Sequence, residues 1–431
     1  MLAVGANSTA IMAALPTMRG DLDLSPLAVQ WTVNAYLVVS AACIVPGGHA
    51  ADRFGARLAS MLGLALFVAS SCLIATASDQ TQLLAGRALQ GLAAAFAVPS
   101  TLAAVGTGAT AERRAAAIGA WTGFLMLGFS IGPLFGGALT HFTGWRMIFW
   151  LNVPVMLVAI AGLACAGSAT TVPDARSLKR VDWIGFLLLS TFMISLVFAL
   201  QAAPHAGSAP LSLIVLAALA IAAFVLLVVA ESRAKAPLVD LSFFRQRRFV
   251  MGVTIGSLSM FSIISLLLYF NLYAQSRDGL GLTPIEAGAT LLPLSAALLA
   301  LALLSSAVAA RVGLRHAMMA GMAFLAIASA IVAAAIARDS IILLLIGFVL
   351  TGAGLALPYA LAPRLALSAL SPVQAGQGSG IVNACTFLSG SAGVACGAIA
   401  FAAGGFLGVL TMIALIAIVG AALGRGIPEV A

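Results

Sequence analysis

Arg87-Ala88-Leu89-Gln90-Gly91 sets a guanidinium and a carboxamide three residues apart on a helix, inside a run of otherwise apolar residues. A guanidinium keeps its proton, so it can hold an anion or steer a neighbouring acid but cannot titrate itself. Few acids are at hand. All thirteen Asp and Glu residues fall in loops or at helix ends, the deepest being Asp182, Glu231 and Glu286. A second constellation is Gly48-His49-Ala50-Ala51-Asp52-Arg53-Phe54-Gly55-Ala56-Arg57, where glycine permits a tight reversal, Asp52 can cap or pair locally, and the arginines favour an aqueous surface. A third is the stripe Gly119, Gly123, Gly128, Gly132-Pro133, Gly136-Gly137, whose near-four-residue spacing lets a neighbouring helix approach closely. Cys43, Cys72, Cys165, Cys385 and Cys396 stand singly and suggest neither a metal site nor a disulfide. No Walker-type glycine loop is present, so neither a cofactor nor nucleotide-driven chemistry is expected.

The elements that carry these residues are apolar blocks of about twenty residues, the length a bilayer core requires. Of the 431 residues 62% are hydrophobic and 8% charged. The blocks predict fourteen spans: 1–17, 31–50, 58–77, 81–106, 115–139, 146–168, 182–203, 209–230, 249–274, 285–309, 314–337, 340–363, 376–398 and 401–423. The fold class is therefore an all-α membrane protein. The first span is about 24 Å long at 1.5 Å per residue, short for a bilayer core. A start assigned too late or a clipped first helix would each explain it. No cleavable signal peptide is evident ahead of it.

Charge gives sidedness. With both ends on one face, inner loops and tail hold sixteen of the twenty-one Lys and Arg residues, against Arg19, Arg146, Arg277 and Arg338 outside and Arg87 within a span. The positive-inside rule then places both termini in the cytoplasm and the chain in the inner (plasma) membrane. The same rule explains the net charge of +8 without any nucleic-acid partner.

The chain also repeats. Ala51-Asp52-Arg53-Phe54-Gly55-Ala56-Arg57 returns 258 residues later as Ala309-Ala310-Arg311-Val312-Gly313-Leu314-Arg315, and Gly132 falls on Gly390. This register predicts a six-helix bundle at 1–168, a cytoplasmic loop at 169–181 and an inserted helix pair at 182–230. A basic loop at 231–248, a second six-helix bundle at 249–423 and a tail at 424–431 complete the order. Paired halves of this kind are a transporter architecture, with substrate held between them near the midplane.

The 48–57 loop resembles motif A of the major facilitator superfamily, Arg87 to Gly91 resembles motif B, and the glycine stripe resembles motif C, the mark of exporters. With Ala14-Leu15-Pro16, Gln30-Trp31-Thr32-Val33-Asn34-Ala35-Tyr36, Trp145-Arg146 and Asn152-Val153-Pro154, the chain resembles the fourteen-helix drug–proton antiporters of that superfamily. The resemblance implies a monomer that exports a small hydrophobic or amphipathic compound against protons. Gly48, Asp52, Arg53, Gly55 and Arg57 would then form the gating loop, and Gly128, Gly132, Pro133, Gly136 and Gly137 the antiporter motif. Arg87, Asp52 and Glu286 become the candidates for proton coupling. An enzyme is not expected.

One departure bears on mechanism. The family's first helix usually carries an acid nine positions before its Ala-Leu-Pro; here that position is Asn7. Three readings stay open: a rim carboxylate titrates instead, the cavity draws an anion to Arg87, or the chain is an uncoupled facilitator or uptake carrier. A non-transporting sensor is the rival from another class. For the cavity wall the candidates are Asn7, Asn34, Tyr36, Gln90, Trp121, Asn271, Tyr273, Asn383 and Phe387, polar or aromatic groups on otherwise apolar helices.

Overall fold

The computed structural model describes residues 1–108, 111–165, 182–203, 210–234, 237–371 and 374–427; the side chains of Asp52 and Arg53, of 106–108, 111–116, 118–119 and of 375 lie outside that description, as does the expected loop at 169–181. The described residues form α1 (Leu2–Asp21), α2 (Pro26–Phe54), α3 (Ala56–Ala75), α4 (Gln80–Gly108), α5 (Ala111–Phe142), α6 (Arg146–Cys165), α7 (Trp183–Ala202) and α8 (Pro210–Arg233). A short 3-10 turn, Leu241–Arg245, leads into α9 (Arg247–Ala274), α10 (Pro284–Thr290), α11 (Leu292–Val312), α12 (Leu314–Ala337), α13 (Ile341–Leu367) and α14 (Ala375–Gly424). Twelve of the helices are long and apolar enough to cross a membrane. The fold is all-α, and the chain is a multi-pass membrane protein.

Three predicted boundaries move. Pro16 does not end the first span: α1 continues through it to Asp21, reaching about 30 Å at 1.5 Å per residue. An interior proline is tolerated in such helices because neighbours satisfy the freed carbonyl. The predicted span 285–309 is two helices, parted at Leu291 with Pro293 near the start of the second, where its missing N–H is harmless. The last two predicted spans run on within α14 as far as Gly404 and Gly405, whose non-helical backbone (φ +59° at Gly405) makes the break.

Helix pairing follows the repeat. α1 packs on α5, α2 on α4, α3 on α4 and α6; in the second half α9 packs on α14, α11 on α13, and α12 on α13 and α14. The motif loops match down to the backbone, since Gly55 (φ 85°, ψ 140°) and Gly313 (φ 85°, ψ 146°) share one conformation that only glycine adopts without strain. The halves meet where α2 lies along α14 and where α5 lies along α10 and α11. At the end carrying the α1–α2 turn this seam is closed: Gln275 Nε2 donates to Ala13 O at 2.9 Å, Gly137 abuts Pro284 O, and Gly288 abuts Pro133 O. The inserted pair packs on itself, and α7 joins it to α2 and α14. Leu211, Ile214 and Ile221 of α8 stay exposed, as lipid-facing residues do.

Candidate functional site: a buried cation beside an uncharged hollow

Arg87 is fully buried, and no carboxylate pairs with it among the described residues. Gly91 has no side chain to hold α4 away from α2, so it rests against the Tyr36 carbonyl and brings the guanidinium onto α2. There Nε donates to Thr32 O at 2.7 Å, one terminal nitrogen donates to Gln90 Oε1, and the guanidinium carbon sits 4.7 Å from the Tyr36 ring centroid. A charged hydrogen bond is worth about 1.5–3 kcal/mol and a desolvated cation–π contact about 2 kcal/mol. Either is comparable with the roughly 3 kcal/mol that an arginine costs at the centre of a membrane helix on insertion scales. Neutral groups thus hold the charge in place.

Around it runs a closed circuit of amides and hydroxyls. Asn7 Nδ2 donates to Gln90 Oε1 at 3.1 Å, Asn152 Nδ2 donates to Asn7 Oδ1 at 3.1 Å, and Gln90 Nε2 donates to Ser71 Oγ at 3.1 Å. Ser8 Oγ reaches the Tyr36 hydroxyl at 3.4 Å. Five helices of the first half, α1 to α4 and α6, therefore share one polar knot. Two contacts extend it across the seam to α14: Ser391 Oγ donates to Asn34 Oδ1 at 2.8 Å, and Phe387 sets its ring edge-on to Tyr36 with centroids 6.5 Å apart. The Asn34 amide nitrogen is buried with no partner among the described residues.

Asn7, Tyr36 and Gln90 join the knot around Arg87, and Asn34 and Phe387 meet across the seam beside it, but none of the nine cavity candidates lines the hollow, and the other four lie apart. Asn271 and Asn383 turn back on their own helices, donating to Leu267 O and Ser379 O. Trp121 donates from Nε1 to Thr101 Oγ1 at 3.1 Å, and Tyr273 stacks on Phe406 at 5.4 Å. An amide in an apolar helix takes the nearest carbonyl when no interhelical partner is offered. Asn152 and Ser71 were missed. Asn152 carried a signal, an amide in an apolar span, whereas a serine more often bonds its own helix.

The gating-loop residues separate in a similar way. Arg57 donates to Ala164 O at 2.6 Å and so holds the end of α6. Asp52 and Arg53 have side chains outside the described residues. Glu286 lies fully exposed in a capping box, accepting from the Thr283 amide and hydroxyl at 2.8 Å each. The Thr283 amide bond, followed by the Thr283 hydroxyl bond, holds its carboxyl below the usual range, so it stays charged at neutral pH. It serves as the cap of α10.

The glycine motif does what its spacing requires. Gly128 abuts Leu2 O, Gly132 the Thr9 hydroxyl and Gly136 Ala10 O, so α1 is pressed onto α5, while Gly137 brings α5 onto α10. Beside this contact a hollow spans the seam, walled by Thr9, Met126, Phe129, Ser130 and Pro133 of the first half and by Met260, Ile263, Leu267, Leu294, Ser295, Leu298, Leu355 and Tyr359 of the second. Of the residues named from sequence only Pro133 lines it. Its wall carries no charge. Its polar side chains are hydroxyls, and that of Ser130 is buried without a partner among the described residues.

A membrane-embedded helical bundle of two matched halves, with one buried cation among the described residues, is the construction of a transporter. The profile of the Major Facilitator Superfamily matches residues 1–308, and the chain belongs to that superfamily. It is 32% identical over 397 residues to the tetracenomycin C resistance and export protein of Streptomyces glaucescens, covering 92% of this chain and 73% of that protein. It is 34% identical over 290 residues to the methylenomycin A resistance protein of Bacillus subtilis (strain 168), covering 67% and 61%. The multidrug resistance protein Stp of Mycobacterium tuberculosis (strain CDC 1551 / Oshkosh) is 30% identical over 372 residues, covering 86% and 68%.

Proposed function

We propose that the chain is a multidrug-type efflux transporter of the plasma membrane, a monomer that exports an uncharged hydrophobic or amphipathic compound against protons. The observation that carries this reading is the seam between the two halves, where a hollow of about 20 Å³, too small for a substrate until the halves part, is lined by apolar groups and hydroxyls with no charged residue. A permanent cation would enter such a site with no carboxylate to replace its water, a penalty of several kcal/mol. A neutral aromatic compound with hydroxyl or carbonyl groups would lose little. The relatives that are named resistance and export proteins support the outward direction. Both termini would be cytoplasmic, the 48–57 loop would latch the inner gate, and the two halves would rock about the α2–α14 and α5–α11 contacts.

Expression in a pump-deficient bacterium tests this. Tolerance to a neutral aromatic antibiotic should rise at least fourfold, tolerance to a quaternary ammonium dye should not, and a protonophore should remove the protection. Protection that persists with the protonophore would sink the proton-coupled model. The unpaired charge of Arg87 favours a second reading, a carrier of organic anions. Accumulation of a labelled aromatic carboxylate on expression would replace the first reading with that one.

A further inference from the structure

We propose that Glu231 and Asp182 form a proton-binding site that clamps the 237–239 turn and, through Gln377, the helix α14. This rests on reading the chain as a transporter in which α14 lies on the moving seam. Glu231 is the one acid that is buried among the described residues, with 3% of its surface exposed. Its two oxygens have different surroundings. Oε2 accepts from the Val239 amide at 3.2 Å, while Oε1 has no hydrogen-bond partner among the described residues. The unpartnered oxygen points into the space a Cβ on Gly185 would fill, and Asp182 Oδ2 borders the same space. Asp182 spends its other oxygen on the N-cap of α7, accepting from the Gly185 amide at 2.8 Å.

Two carboxylates facing each other over a glycine share a proton more readily than either binds one alone. A proton from water at this rim binds Glu231 Oε1, and the new O–H donates to Asp182 Oδ2. Nothing else needs to change. The charged groups on the elements packed around the site are Asp182 on α7, Arg233 on α8, Asp240 and Arg245 on the turn and its 3-10 helix, and Arg247 and Arg248 at the start of α9. Asp240 is engaged locally, accepting from the Ser242 amide at 2.9 Å.

The clamp is a chain of hydrogen bonds. Glu231 holds the turn at Val239, and Gln377 Nε2 donates to Pro237 O at 2.8 Å and to Leu238 O at 2.9 Å from α14. Without the proton, two negative charges face each other and push α8 from α7. With it, the pair closes and the turn keeps its hold on α14. Proton occupancy at this rim would thereby bias the helix that carries Phe387 and Ser391.

The test uses the full chain in lipid nanodiscs, titrated between about pH 5 and 9 while the infrared carboxyl stretch is followed. Wild type should show a protonated-carboxyl band that disappears as pH rises and is missing in Glu231→Gln. Asp182→Asn keeps the helix cap but removes the facing charge. It should move the midpoint to roughly tenfold higher proton concentration, one pH unit. No titrating band in wild type, the same band in a folded Glu231→Gln, or an unmoved midpoint in Asp182→Asn would each overturn the site. If Glu231→Gln fails to fold, the Asp182→Asn midpoint decides. The readout needs no transport, so a chain that titrates as expected yet gives no resistance would count against the efflux reading alone.

Discussion

The two halves share a skeleton and differ in what fills it. Gly86 packs on Ile74 and Gly91 on the Tyr36 carbonyl in the first half; Gly347 packs on Val332 and Gly352 on the Leu294 carbonyl in the second. Between the matched glycines, Arg87 takes the place that Phe348 takes in the other half. Arg87 sits in amides and hydroxyls, whereas Phe348 is fully buried with its ring 4.8 Å from Phe270, which in turn packs on Phe406. The same close helix contacts therefore tolerate either a polar knot or an aromatic core. Packing fixes the skeleton, and chemistry is added to one copy.

The sharpest way to break this comparison is to exchange truncations at the matched positions. Arg87→Ala removes the donor to the Thr32 carbonyl and one of the two donors to Gln90 Oε1, and should abolish resistance, a loss of at least tenfold, in protein that still inserts. Phe348→Ala should cost about 3–5 kcal/mol in stability while protein that does reach the membrane keeps its resistance. Equal loss of resistance per inserted molecule would show that the halves do not divide labour this way. Next in size is the shared backbone. Gly55→Ala and Gly313→Ala each force a side chain into a conformation costing about 1–3 kcal/mol, and thermal unfolding in detergent should show matching losses. Unequal losses would mean that the two loops are alike in shape but not in load.

Two smaller effects follow, one at the seam and one within the first half. Ser391→Ala removes the bond to Asn34 and should destabilise by about 1 kcal/mol, slowing export a few-fold at most in a vesicle efflux assay. Smallest is the rim clamp where the Trp145 Nε1–H bonds Asp21 at 2.9 Å and Arg146 pairs with it. The Trp145 bond, then the Arg146 bond, lower the Asp21 carboxyl below its usual range. Its contribution is therefore present above the unfolded value near 4 and lost only as pH falls through the lower folded one. Asp21→Asn should change efflux by the same small factor at pH 6 and pH 8. A pH-dependent change would bring this rim into the coupling mechanism.

Much of the site was legible in the sequence because a charge or an amide in an apolar span has few places to go. Arg87, Gln90 and Asn34 were singled out on that ground, Tyr36 as a polar aromatic, and Asn7 because it stands where the resembled family carries an acid. The same argument failed for Asn271 and Asn383, because the helix's own carbonyl is always within reach. The converse failure is Ser71 and Ser391. Ser259, Ser262 and Ser329 do bond their own helices, but these two bond across them. Residue type alone cannot separate the two outcomes.

The all-α membrane fold and the close-packing glycine faces followed from the sequence alone, because burial of apolar length and the absence of a side chain are local properties of the chain. Only the tertiary structure decided which acids are capped, as Glu286 is, and which are buried with an unpartnered oxygen, as Glu231 is. It also lined the uncharged hollow with residues other than the amides singled out from the sequence, because side chains on separate helices meet only once those helices pack.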